Sequence, residues 1–213
     1  MSAYNEYSKL VRIKNGHLND KGFKATLTLP ANKTLPRQWD YINFYVGING
    51  YECGISCRNQ TAWKENGVLK WRVFMNGDGA TTYGNLYADG ATVTISIEKN
   101  ADGLAEFKVN GSTLKVFSKK LDPITNAARL VFASSQDTGY TPPLDPWSVL
   151  HDQVRAYEMK YKDSNGNWVA FTTGSNVSTE EWPLGVATPD GKKYIVDKTW
   201  IGNADVYASV KNL

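Results

Sequence analysis

Turn signals punctuate this chain so often that they decide its class. Asn-Gly occurs at positions 15, 49, 66, 76, 110 and 165, and Asp-Gly at 78, 89, 102 and 190. Asn, Asp and Gly tolerate the positive φ that tight hairpins require, so each dipeptide marks a reversal of an extended chain. Between them apolar and polar residues alternate with a period of two, and helix-period apolar patterns are nearly absent. The chain is therefore predicted to be all-β, with about eleven to thirteen strands at sandwich-like spacing. No internal repeat of fixed period appears, which argues against a propeller or solenoid. An antiparallel two-sheet jelly-roll sandwich remains.

The sharpest prediction is the hairpin from Asp40 to Arg58, because Asn49-Gly50 fixes its register by pairing Ile48 with Tyr51. Both turn residues are expected at positive φ. Counting back by twos, Ile42, Phe44, Val46 and Ile48 share a core face with Tyr51, Cys53, Ile55 and Cys57. On the other face Tyr41 pairs with Arg58, Asn43 with Ser56, Tyr45 with Gly54, and Gly47 with Glu52. That face offers aromatics, amides and one charge of each sign.

The remaining strands follow the same logic. GFKATLTLP turns Phe23, Ala25, Leu27 and Leu29 inward, and Pro30 ends it. ATVTISIEKN buries Val93, Ile95 and Ile97, exposes Glu98, and turns through Asn100–Gly103 into LAEFKVNG. LKWRVFMN places Leu69, Trp71, Val73 and Met75 in the core. A direct turn at Asn66-Gly67 would pair Arg58 with Met75 and contradict the preceding hairpin, so a bulge between Arg58 and Trp63 is expected. ARLVFASS, VRAYEMKY and NWVAFTT are further strands. The proline-rich stretch DTGYTPPLDPW reads as a loop, with a short helical turn expected over Ser148–Gln153.

Residues 1–213 are expected to form a single β-sandwich domain, since no linker or shift in composition divides them. No segment approaches the roughly 20 apolar residues of a membrane-spanning helix. A net charge of +3 with scattered basic residues gives no nucleic-acid footprint. The N-terminal residues lack a secretory leader, and two readings stay open: an intracellular protein, or a chain whose signal peptide is absent from this sequence. The Asn-, Thr-, Gly-, Tyr- and Trp-rich, Cys-poor composition favours a secreted or cell-surface protein. Cys53 and Cys57 lie about 13 Å apart along one strand face, too far for a disulfide, and are expected to be buried thiols.

The succession GFKATLTLP, INFYVGI-NG-YECGIS, LKWRVFMNG and TVTISIEKN-ADG-LAEFKVNG resembles the concanavalin A-like lectin and glucanase superfamily, over about residues 20–135. The resemblance implies a carbohydrate ligand on a concave sheet, bound or cleaved.

Glycoside hydrolysis needs two carboxyl groups, about 5–5.5 Å apart for retention or roughly 6.5–9.5 Å for inversion. Glucanases of the superfamily carry a Glu-x-Asp-x-x-Glu run on one strand, and this chain has none. Glu52, the best catalytic candidate, could pair only with Glu98. His17 and His151 have no nucleophile motif around them and read as surface or packing residues. Asp163-Ser-Asn165-Gly-Asn167 begins like a calcium loop, but its glycine and twelfth residue do not fit, and a hairpin turn explains it better. No metal site or cofactor is expected, with calcium at Asp137 and Asp145 as the alternative. Tyr41, Asn43, Tyr45, Glu52 and Arg58 combine an aromatic platform with polar partners suited to a sugar, and Trp147 in the long loop is a further stacking candidate.

The sequence thus leads to a lectin-like protein without catalytic activity, binding a polysaccharide or oligosaccharide on the polar face. The alternatives are a glycoside hydrolase or polysaccharide lyase with Glu52 in an atypical active site, and a secreted or surface structural protein.

Overall fold

The alternating runs become strands of two stacked antiparallel sheets, seen in a computed structural model that describes residues 7–136, 148–172, 176–182, 194–202 and 205–212. In chain order they are β1 (Tyr7–Lys14), β2 (Gly22–Thr28), β3 (Lys33–Thr34), β4 (Tyr41–Ile48), β5 (Tyr51–Arg58), β6 (Lys64–Glu65), β7 (Val68–Leu69), β8 (Trp71–Asn76), β9 (Thr82–Tyr87), β10 (Thr92–Lys99), β11 (Leu104–Val109), β12 (Ser112–Lys120), β13 (Arg129–Gln136), β14 (Leu150–Lys162), β15 (Trp168–Ala170), β16 (Val177–Trp182), β17 (Tyr194–Gly202) and β18 (Asp205–Asn212). These exceed the expected strand number because short segments such as β3, β6, β7 and β15 add to the long ones. One sheet runs β16-β1-β13-β4-β5-β8-β9 and the other β12-β11-β10-β2-β14-β18-β17, with β3 and β15 also paired to β14, while β6 and β7 form a separate two-stranded sheet. Among the described residues no helix is long and apolar enough to cross a membrane.

The core forms where the inward faces of the sheets meet. Phe23, Ala25, Leu27 and Leu29 of the β2 segment, Val93, Ile95 and Ile97 of β10, and Ile42, Phe44, Val46 and Ile48 of β4 are all buried, as their alternation predicts. Phe44 lies at its centre, stacked on Trp71 at 5.1 Å and edge-on to Phe132 at 5.5 Å. Cys53 and Cys57 are buried free thiols, and burial first of all pushes each up to about 12.

The β4–β5 register is the expected one along its whole length, from Ile48 opposite Tyr51 to Tyr41 opposite Arg58. Its turn differs in detail: Asn49 takes φ 50° and Gly50 is not left-handed. Asn49 is held from outside the hairpin, its Oδ1 accepting from the backbone N–H groups of Thr125 and Asn126 and its Nδ2 donating to the Pro123 carbonyl. At Asn66-Gly67 and Asn110-Gly111 both residues are left-handed.

Two local expectations are corrected. The link from β5 to β8 is not a bulged hairpin: a 3-10 turn over Thr61–Trp63 and the β6–β7 hairpin fill it. The Asn66-Gly67 turn closes that small hairpin, so Cys53 opposes Met75 and Ser56 opposes Arg72 without conflict. Second, Ser148–Gln153 forms no helical turn. Its residues enter β14, where Leu150 and His151 pair with Thr34 and Lys33; tertiary pairing outweighs a weak local preference for helix.

His151 is the buried histidine of the core, edge-on to Phe44 at 5.1 Å, with Nδ1 donating to the Asp152 carbonyl at 2.7 Å. Burial lowers its pKa from 6.5 to about 4, against the weaker upward pull of that hydrogen bond and of Asp152. The unfolded chain therefore binds the extra proton between these values. Stability is full above about pH 6.5 and falls with pH towards about 4, by an amount on the order of 3 kcal/mol from this group. Urea midpoints at pH 7 and 4.5 should show that loss, and His151→Phe should flatten it; an unchanged slope would remove His151 as its source. His17, in contrast, is exposed.

Candidate functional site

Alternation that sends Phe44 and Val46 inward sends Asn43 and Tyr45 outward, and antiparallel pairing carries this outward face across the sheet in rows. In one row Arg12, Val131, Tyr45, Gly54 and Phe74 follow one another on β1, β13, β4, β5 and β8. The next, towards the Asn49 turn, holds Lys14, Arg129, Gly47, Glu52 and Asn76. With strands about 4.8 Å apart, neighbours within a row touch. Every residue of β13 is buried, Val131, Ala133 and Ser135 on this outward face included.

Glu52 is a partly accessible carboxylate at the centre of the face. Its side chain is 34% exposed and its Oε1 accepts from Arg129 Nη2 at 3.1 Å, the arginine side chain being only 7% exposed. Arg129 is fixed further by donating to the carbonyls of Asn49 and Ala127. Gly47 between them makes this reach feasible: a Cβ there would lie 3.0 Å from the guanidinium carbon and 3.1 Å from the Tyr51 carbonyl oxygen. Tyr45 is a diagonal cross-strand neighbour of Glu52 on this face. Its pKa is raised well above 10, first by burial and then by the charge of Glu52. Tyr45 thus stays a protonated donor at every ordinary pH.

Across Tyr45 from this pair, Arg12 donates twice to Glu180, at 2.9 and 2.7 Å. Several buried polar atoms of the face have no hydrogen-bond partner among the described residues: Arg12 Nε, Asn43 Oδ1 and Arg58 Nε. Buried polar groups are normally satisfied, so such atoms suit a face that receives a polar ligand.

Tyr41 and Arg58 are placed differently from a flat sugar platform. The Arg58 guanidinium lies 4.9 Å from the Tyr41 ring and 5.8 Å from that of Trp63. Trp63 in turn donates to Ser56 Oγ at 3.1 Å and meets Tyr83 edge-on at 4.9 Å, with the Arg72 guanidinium 5.8 Å from the Trp63 ring and 5.5 Å from that of Tyr83. Trp63 could not be assigned a face from sequence, because the 3-10 turn that swings it over β5 has no periodic signature. Arg129 was missed as well. It reads as an ordinary strand residue, and only the pairing of β13 with β4 brings it to Glu52.

Glu52 and Glu98 do not form a pair. Glu98 projects from the other sheet, where it is 8% exposed and accepts from Lys108 at 2.7 Å and from Lys162. Burial works to raise its pKa, and the hydrogen bonds and charges of the two lysines outweigh it, leaving the carboxyl below its ordinary value. Asp163 Oδ1 accepts from the backbone N–H groups of Asn165 and Asn167, so this segment is the β14–β15 turn. Among the described residues no group of three or more His, Cys, Asp and Glu could hold a metal ion. Trp147, Asp137 and Asp145 lie outside the described residues.

The architecture is the expected all-β, antiparallel two-sheet jelly-roll sandwich. No known protein-family model matches the sequence, and no curated protein matches it. Among solved structures, scytalido-glutamic peptidase in complex with a peptide-based transition-state analog superimposes with a TM-score of 0.59 at 12% identity, covering 98% of each chain. SCP-B, a member of the eqolisin family of peptidases bound to the tripeptide Ala-Ile-His, gives 0.58 at 12% identity with the same coverage. A tetrameric galectin from the ball sponge Cinachyrella sp. gives 0.36 at 16% identity over 70% of this chain. The expectation of a non-catalytic, lectin-like protein is corrected here, because structures aligning over 98% of both chains include these peptidases. The sequence misled for a physical reason: aromatics, amides and paired charges on a strand face suit a peptide as well as a sugar, and Tyr41 is covered by Arg58.

Proposed function

We propose that this protein is a hydrolase acting on polypeptides at the outer face of the β4–β5–β13 sheet, with Glu52 as the carboxylate that activates water. The observation that carries the reading is the Glu52–Arg129–Tyr45 cluster, a solvent-accessible carboxylate beside the buried Arg129 guanidinium and the half-buried Tyr45 phenol. End-to-end likeness to peptidases supports it at the level of the fold. In this mechanism Glu52 accepts a proton from water as it attacks the scissile carbonyl, and returns that proton to the amide nitrogen as the tetrahedral intermediate collapses, breaking the C–N bond and releasing the amine. The Tyr45 phenol and the fixed Arg129 guanidinium donate to the oxygen on which negative charge develops.

The test is incubation with a mixture of unfolded proteins from pH 2 to 9, with new peptide termini read by mass spectrometry. Cleavage above a buffer control is expected within that range. Absence of new termini throughout would end the proposal, and release of sugar from a polysaccharide panel in their place would return the weight to a glycosidase.

A further inference from the structure

β14 carries one residue more than β2 between two aligned pairs. Tyr157 stands opposite Thr26 and Lys160 opposite Lys24, so Glu158 and Met159 together face Ala25. Met159 turns into the core, while Glu158 is exposed and held at φ 52°. Left-handed backbone at a bulge favours glycine, and a residue with a side chain is strained there. A glutamate in that conformation points to a use for its carboxylate.

The surroundings show what it could serve. Thr26, 7% exposed, shares a hydrogen bond with Thr94 Oγ1 at 3.0 Å and lies 3.3 Å from Glu158 Oε2 as its donor. These side chains, with Lys24 and Lys160, line a cavity of about 340 Å³, at the small end of ligand sites. Among the described ion pairs none joins Glu158 to a lysine; those nearby link Glu98 to Lys108 and Lys162, Glu106 to Lys108, and Arg155 to Asp205. Lys24 instead lies 4.9 Å from the Trp168 ring. Glu158, Lys24 and Lys160 thus line one cavity, with no ion pair between the glutamate and either lysine among the described residues.

We propose that this cavity binds a small zwitterion of the α-amino acid type, its ammonium on Glu158 and its carboxylate on Lys160 and Lys24. The site lies on the sheet opposite Glu52 and does not rest on the function proposed there.

Backbone NMR titration of the whole chain with alanine, propionate and ethylamine tests it. Alanine is expected to shift β2 and β14 resonances and to bind at least about tenfold more tightly than propionate or ethylamine, which each lack one charge. Glu158→Gln should lose about tenfold or more in alanine affinity. Glu158→Gly should lose as much while melting at the same or a higher temperature, since glycine relieves the strain. Alanine binding no better than its two halves, or unaltered by Glu158→Gln, would overturn the proposal. So would a lowered melting temperature for Glu158→Gly, which would make the glutamate a structural residue.

Discussion

Glu52→Gln is expected to lower kcat/KM for peptide cleavage by about 10²- to 10⁴-fold, the usual contribution of a general base. The substitution keeps the shape of the side chain and an oxygen facing Arg129, and removes only its capacity to take a proton. Stability should change little. Glu52 is a third exposed, where a single ion pair contributes about 0–1 kcal/mol, and Arg129 keeps its bonds to the Asn49 and Ala127 carbonyls. Tyr45→Phe should cost about 10²- to 10³-fold in kcat, as for loss of one donor to a developing oxyanion. Kinetics of the two variants, each shown to be folded by circular dichroism, separate these roles. Full activity in Glu52→Gln would assign catalysis to another group.

Gly54→Ala is expected to be the most damaging small substitution in the site, costing about 3 kcal/mol or more. Gly54 sits between Tyr45 on β4 and Phe74 on β8, whose rings meet edge-to-face at 6.2 Å. A Cβ at Gly54 would lie 2.1 Å from the Phe44 carbonyl oxygen and 2.6 Å from the Tyr45 Cα. Both are backbone atoms, so the clash can be relieved only by separating the two central strands. Gly47→Ala meets chiefly the flexible end of Arg129, with its contacts starting at 3.0 Å. It should cost less stability and act on the Glu52–Arg129 geometry. Urea unfolding of both variants checks the order, and a Gly54→Ala protein as stable as Gly47→Ala would contradict the close approach.

The parts of the site that were legible in the sequence are those fixed within one hairpin. Alternation gave the sides of β4 and β5, and the two-residue turn set which residues oppose each other, so Asn43, Tyr45 and Glu52 fall into one group on local rules alone. The glutamate pairing could not be judged in the same way. Glu52 and Glu98 both belong to outward sets, but alternation is silent on which sheet a strand joins. Nor could Trp63 be placed, since a 3-10 turn and a two-residue-strand hairpin interrupt the period on which the reading depends.

By itself, then, the sequence determined strand content, the inward and outward sets of each strand and the register of its tightest hairpin, because side-chain direction and turn geometry are local properties of the backbone. Only the tertiary structure decided that β13 lies beside β4, that Arg129 therefore reaches Glu52 over Gly47, and that Glu98 is neutralised by two lysines on the opposite sheet. Backbone ladders pair through N–H and C=O groups that every residue but proline carries, so the choice of distant partner falls to the packing of the whole core.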